Sequence, residues 1–312
     1  MSKDIWLGIH VPPEGRDFEE MKRICLAVEE AGFDLFTITD HFMNMRNPNG
    51  PGNHPLEAWT TLAGLAAVTD RINLGPLVSC YGYRRPTVLA KIATTVNIIS
   101  GGRLIFGIGA GWHEEEFKGF MGWFPPTRER LVGLRETVEI CRAMFTNERT
   151  TYRGTLYEVE SVLNAPQPVN KPVPILVGGG GEKVTLKIAA EHADISHFFS
   201  RSMENLEHKL SVLKMHCKTV GRDYDEIRKA TAMGMIIGTT KAEVEAKIRQ
   251  RARKMEMPLE EVRSRLGLGV GTSETFVDSI KAYTKRGIGL VTFPFPGFED
   301  LHLFSKEVLP RL

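Results

Sequence analysis

The sequence predicts an α/β fold, a (β/α)8 TIM barrel with insertions. Three observations carry the prediction: eight short apolar runs, helical segments between them, and no linker dividing the 312 residues into halves. The runs fall at residues 5–9, 35–39, 72–78, 104–108, 173–177, 193–199, 230–237 and 288–293. They are near-continuous rather than alternating in polarity, as expected of strands buried on both faces of a parallel sheet. Eight units average about 39 residues each, more than a minimal barrel needs. The excess is assigned to three insertions in a single domain spanning 1–312: a loop at 42–55, a hairpin with a Pro-rich loop at 147–172, and a charged helical segment at 238–271.

Taken in order, the first run ends at His10, and Asp17-Phe18-Glu19-Glu20 reads as a capping box. The helix behind it carries Phe18, Met21, Ile24, Cys25, Val28 and Ala31 at helical spacing and stops at Gly32. The second run ends at Asp40-His41, followed by the loop 42–55, rich in Asn, Gly and Pro, which is expected to act as a lid. After the third run Pro86 opens a helix whose face is Leu89, Ile92, Ala93, Val96 and Ile99, and Gly101-Gly102 closes it. Residues 150–153 and 156–159, split by Gly154-Thr155, form the expected hairpin ahead of Ala165-Pro166-Gln167-Pro168. The fifth run leads into Gly178-Gly179-Gly180-Gly181 and a helix expected to begin near Glu182. Residues 241–265 read as charged and helical. Thr272 or Ser273 caps a helix with Phe276, Val277, Ile280 and Tyr283 that closes at Gly287. The rival architecture, an open doubly wound sheet with a dinucleotide site, rests on Gly107-Ile108-Gly109-Ala110-Gly111. The third glycine of that fingerprint would fall at position 112, which is Trp.

Composition narrows the function classes. Forty basic against 38 acidic side chains, a formal charge of +2, give no global field for nucleic acid or an anionic membrane. Disordered, collagenous and disulfide-scaffold classes are excluded. Cys25, Cys80, Cys141 and Cys217 are far apart with no Cys-x-x-Cys pair, so a reducing, cytoplasmic setting is expected. The sequence starts without the apolar stretch of a secretory signal, and no run is long enough to span a bilayer. The expected partner is a small-molecule substrate, with no nucleic acid and no membrane.

In a barrel the site lies at the carboxyl ends of the strands. The residues found there are His10, Asp40-His41, Leu77-Val78-Ser79-Cys80, Gly109-Ala110-Gly111-Trp112-His113, Gly178 to Gly181, His197 and residues 293–296. Free backbone N–H groups at Gly178–Gly181 suit a phosphate, although a tight turn accounts for the same glycines. This is not a P-loop, because Glu182 separates Gly181 from Lys183. Asp40 and His41 can serve a cofactor ring and a proton transfer, or can cap the following loop. No metal is expected: His10 has no second histidine beside it, and His113-Glu114-Glu115-Glu116 lacks the second histidine of a helical zinc motif.

Five blocks together resemble a known family. They are Gly8-Ile9-His10; Asp34 with Asp40-His41; Ile72-Asn73-Leu74-Gly75; residues 100–112 (SGGRLIFGIGAGW); and residues 173–181 (VPILVGGGG). This pattern is similar to that of the bacterial luciferase-like flavin and deazaflavin oxidoreductases, most of all the branch using coenzyme F-420 (8-hydroxy-5-deazaflavin), and it covers the chain to about residue 200. The resemblance implies a luciferase-like barrel, usually a homodimer, with the tricyclic ring across the mouth. It implies that Asp40 and His41 contact the ring or its substrate face, that Gly109, Ala110 and Gly111 pass beneath the ribityl chain, and that Gly179–Gly181 hold the phosphate, with His10 and Gly178 counted beside them as cofactor-binding. It also implies a non-proline cis peptide at Leu77-Val78 pressing on the ring. Trp112 flanks the cofactor or fills the barrel top; His113 is a proton donor or simply begins the acidic helix. Phe42, Tyr81 and Tyr83 line a substrate pocket or pack. The basic run Arg249, Arg251, Arg253, Lys254 is a solvated helix face or meets an anionic coenzyme tail. The implied activity is hydride transfer between coenzyme F-420 and a small organic substrate, with His41 moving the proton and Asp40 orienting the ring. An FMN-dependent monooxygenase and a non-catalytic flavin-binding protein are the alternatives.

Overall fold

The computed structural model describes residues 5–45, 52–170, 172–200 and 202–312. Eight parallel staves form the barrel: β1 (Trp6–Val11), β2 (Leu35–Ile38), β3 (Asn73–Pro76 and Ser79–Cys80), β4 (Phe106–Gly109), β5 (Ile175–Gly178), β6 (Ile195–His197), β7 (Arg228–Ala232) and β8 (Ile288–Pro294). β1 pairs with both β2 and β8, so the first and last staves are neighbours. β3 is broken at Leu77-Val78, whose peptide bond is cis. Its first piece bonds to β2 and its second to β4. The ring closes through a bridge between Leu74 and Leu104, with the Ile105 N–H donating to the Leu74 carbonyl at 2.8 Å.

Alternation along each stave sorts side chains to two faces. Phe36 packs with the large core between staves and helices. Its neighbour Leu35 joins Ile105, Leu176, Ile195, Ala230 and Leu290 in a separate cluster that fills the inside of the barrel. The cavity therefore lies above this plug, at the carboxyl ends.

Helices form where capping and period indicated. The Asp17 carboxylate accepts the Glu20 N–H at 2.8 Å, opening the helix Phe18–Glu30. Pro86 opens Pro86–Ile99. Thr272 is the cap residue of Ser273–Thr284, but its hydroxyl lies 3.2 Å from the Thr275 hydroxyl and makes no bond to a backbone N–H. The helix expected near Glu182 starts later, at Thr185. The strands Arg149–Arg153 and Glu158–Leu163 form an antiparallel hairpin. Of the loop at 42–55, residues 46–51 lie outside the described residues, and with them the expected lid.

One run changes partners midway. Residues 230–237 read as one strand, yet β7 ends at Ala232, and Ile236–Gly238 pairs instead with Val270–Thr272 in a small parallel sheet. Gly234 and Gly269 touch backbone to backbone at this departure: a Cβ on Gly269 would lie 2.0 Å from the Gly234 carbonyl oxygen. The helices Lys241–Lys254 and Leu259–Leu266 cover the small sheet with their own apolar cluster. Among the described residues no helix is long and apolar enough to cross a membrane.

Candidate active site

A cavity of about 650 Å³ opens at the carboxyl ends of the staves. Of the residues singled out from the sequence, those lining it include His10 from β1, Asp40 and His41 after β2, Leu77 and Val78 from the break in β3, Gly109, Ala110, Gly111 and Trp112 after β4, and Gly178 to Gly181 after β5, whereas His113, Phe42 and Tyr81 do not. The break pushes Val78 inward, and glycines make room for it. A Cβ on Gly109 or on Gly178 would stand 2.7 Å from a Val78 methyl.

Asp40 is almost fully buried and fully engaged. Arg84 donates to both its oxygens, at 2.7 and 3.0 Å, and the Ser79 hydroxyl donates at 2.7 Å. Trp59 Nε1 in turn donates to Ser79 at 2.8 Å. Arg84 also binds Glu57, which caps the helix Ala58–Val68. Burial alone would lower the Arg84 pKa, but the Asp40 and Glu57 carboxylates more than offset it and raise it. The network ties the end of β2 to the second piece of β3 and so supports the Val78 bulge from below.

His41 has a different carboxylate. Its Nδ1 lies 2.6 Å from Glu116 Oε2, and Glu116 is fully buried. The Tyr83 hydroxyl donates to the same oxygen, while the N–H groups of Phe42 and Met43 donate to Oε1 at 2.8 and 2.9 Å. Burial opposes the charge on Glu116, but these donors and the nearby imidazole win, and its pKa is lowered. His113 accepts the Glu116 N–H at 3.3 Å and so caps the short helix Glu114–Glu116. Trp112, 63% exposed, stands at the rim with its ring centroid 5.8 Å from that of His41. Tyr83 does line the cavity, but its hydroxyl is spent on Glu116; Tyr81 is buried beside Phe117, and Phe42 packs with tilted rings against Tyr83 and Phe120.

Two further histidines form the floor. His10 Nδ1 lies 3.0 Å from the Thr37 hydroxyl, and His197 Nε2 lies 3.0 Å from the Thr292 hydroxyl. Burial, reinforced by the neighbouring histidine in each case, pushes His10 down to about 4 and His197 to about 3. Both are neutral at pH 7. Their unfolded forms take up a proton near pH 6.5 while the folded forms do not, so this contribution to stability is intact above about pH 6.5 and is lost progressively as pH falls toward about 3. The expected result is a Tm that falls steeply between pH 6.5 and 4.5, with a shallower fall in His197→Asn. Equal slopes in thermal melts of the two proteins would contradict it.

The glycine quartet does two jobs. Gly178 belongs to β5, and the Gly179 N–H donates to the His197 carbonyl at 2.9 Å, so these two continue the barrel. Gly179 has φ +132°, which a side chain rarely tolerates. Beyond it, the N–H groups of Gly180, Gly181 and Glu182 have no intramolecular acceptor among the described residues. Lys209 Nζ donates to the Gly180 carbonyl at 2.7 Å and brings a cation to the same loop. An anion fits this cradle of backbone donors beside an ammonium. From the insertion helices, Arg251 and Arg265 also line the cavity, whereas Arg253 and Lys254 are exposed.

Sequence reasoning gave no role to Glu116, Arg84 or Lys209, and placed Ser79 at a strand end without its bond to Asp40. One signal was present for Arg84: two arginines ahead of a helix starting at Pro86 oppose the helix dipole and call for a distant carboxylate.

Comparison with known proteins agrees with this fold. An F420-dependent glucose-6-phosphate dehydrogenase of Gordonia bronchialis is 25% identical over 100% of this chain and 98% of its own length. Among solved structures, the coenzyme F420-dependent tetrahydromethanopterin reductase of Methanopyrus kandleri superposes with a TM-score of 0.79 at 21% identity, covering 98% of this chain and 99% of that one. An EDTA monooxygenase of Chelativorans sp. BNC1 superposes with a TM-score of 0.84 at 16% identity, covering 98% and 92%. At these identities the solved structures establish the fold alone, and the two proteins sharing it are named as a reductase and a monooxygenase. The family model described as luciferase-like monooxygenase matches residues 4–289. On that match, carried by nearly the whole barrel, the chain belongs to the luciferase-like monooxygenase family.

Proposed function

We propose that this protein is an oxidoreductase that moves a hydride between coenzyme F-420 and a small organic substrate. The observation that carries the reading is the meeting, in one cavity, of an anion cradle at Gly180–Gly181 and a histidine held by a buried carboxylate. Full-length relatives named as F420-dependent dehydrogenases support the deazaflavin over FMN. When bound, the deazaflavin supplies two-electron hydride chemistry and reacts poorly with oxygen.

The protein's part is to bind, orient and move a proton. Gly180, Gly181 and Lys209 would hold the phosphate. Gly109, Ala110 and Gly111 would leave space for the chain joining phosphate to ring, and Val78 would support the ring. His10 and Trp112 would border it; Asp40, locked by Arg84 and Ser79, fixes the bulge at Val78. His41 exchanges the proton that accompanies hydride movement at a hydroxyl-bearing carbon. Arg251 and Arg265 face the same cavity, so an anionic group on the substrate would be received there, in keeping with the phosphosugar named for the relatives. The four cysteines are free and buried, which suits a reducing cytoplasm, and we read the working form as a homodimer on the family resemblance.

The test is separate titration of the protein with coenzyme F-420 and with FMN, each oxidised and reduced, followed by turnover on hydroxylated and carbonyl substrates. Tight deazaflavin binding and turnover without oxygen consumption are expected. Exclusive FMN binding with oxygen uptake would replace this reading with the monooxygenase. Binding without turnover on any substrate would leave a flavin-binding protein.

A further inference from the structure

We propose that Glu116 is a positioning residue that fixes the His41 imidazole with its proton on Nδ1, leaving Nε2 bare toward the cavity as the proton-accepting atom. The proposal rests on the assignment of His41 as the proton-transfer group.

The argument is one of donor and acceptor counting. The N–H groups of Phe42 and Met43 only donate, so Glu116 Oε1 is an acceptor twice over. Oε2 receives the Tyr83 hydroxyl and faces His41 Nδ1 at 2.6 Å. An ionised carboxylate can only accept, so Nδ1 carries the hydrogen of this bond. In the tautomer with that hydrogen on Nδ1 the lone pair falls on Nε2, for which the described residues offer no partner. Glu116 does not line the cavity and touches no substrate; it acts through His41. It also joins three stave ends: residues 41–43 after β2, Tyr83 after β3 and its own helix after β4. No other acceptor serves these donors among the described residues, so the imidazole's direction and the root of the loop after β2 are set by one group.

The variant that tests this is Glu116→Gln. The Phe42 and Met43 N–H groups would claim the amide oxygen, which turns the amide NH₂ toward Nδ1. That donor forces the imidazole hydrogen onto Nε2, where the ring can no longer accept a proton from substrate. Measured on the enzyme loaded with coenzyme F-420, kcat is expected to fall about 100-fold or more, with coenzyme Kd nearly unchanged and most of the activity returned by Glu116→Asp. Imidazole ¹⁵N spectra should show His41 protonated at Nδ1 in the wild type and at Nε2 in Glu116→Gln. A role confined to packing would not move that hydrogen.

Wild-type turnover in Glu116→Gln would overturn the proposal, as would a wild-type resting enzyme with the hydrogen on Nε2. Should Glu116→Gln not fold, the wild-type spectrum still decides. His41→Ala separates the two levels. If it keeps full turnover, the assignment of His41 falls and this inference with it. If it loses turnover while Glu116→Gln does not, only the role of Glu116 falls.

Discussion

Replacing Arg84 with methionine is expected to destabilise the fold by about 3–5 kcal/mol, the range found when one partner of a buried ion pair is removed. Asp40 would be left buried with the Ser79 hydroxyl as its remaining partner, since Arg84 supplies both charge-assisted bonds. Its side chain is inaccessible and Arg84 itself is only 11% exposed, so solvent does little to screen the loss. A Tm drop of roughly 10 °C follows for a chain of this size. The damage should be local in origin, because the network supports Ser79 and with it the bulge at Val78. Adding Asp40→Leu to Arg84→Met should restore most of the stability while leaving the cavity unable to hold its ligand, since the charge is gone but the floor of the bulge is altered. Melts of the two single variants and the double variant measure the coupling. A loss below about 1 kcal/mol in Arg84→Met would show that the pair behaves as a surface bridge.

What the sequence revealed and what it hid divide along range. The staves were legible because both faces of a barrel strand are buried, and a run such as 104–108 then stays apolar throughout. Helix starts at Asp17 and Pro86 were legible because capping is local chemistry. The rim was legible because a barrel places its chemistry at the ends of those same runs. The turn at Gly234 was hidden, since a run of apolar residues does not announce that its second half pairs with a different strand. Glu116 was hidden for a related reason. Three consecutive glutamates give no local cue as to which one is fully buried, and its four donors come from residues 33 to 75 positions away. Glu114–Glu116 is a short helix as read, with Glu114 and Glu115 exposed and Glu116 buried.

Substituting His41 with alanine should lower kcat by about 10²- to 10⁴-fold, the range for removing a positioned acid–base group. The expectation comes from elimination across the cavity. His10 and His197 have been pushed to about 4 and about 3, so each is too weak a base to hold a proton near neutrality. Asp40 is committed to Arg84 and Ser79. Burial drives the Cys80 thiol up to about 12, and burial with the Glu116 hydrogen bond drives Tyr83 higher still, so neither ionises in the working range. A guanidinium such as that of Arg251 or Arg265 binds anions rather than shuttling protons. That leaves His41, among the described residues lining the cavity, as the candidate for proton exchange. The variant should still bind coenzyme F-420 with wild-type affinity, because the phosphate cradle at Gly180–Gly181 lies across the mouth on a different stave. Small amines or imidazole added to His41→Ala should restore part of kcat by supplying a base to the vacated space. Full activity in His41→Ala, with an unaltered pH profile, would mean that solvent rather than the protein carries the proton.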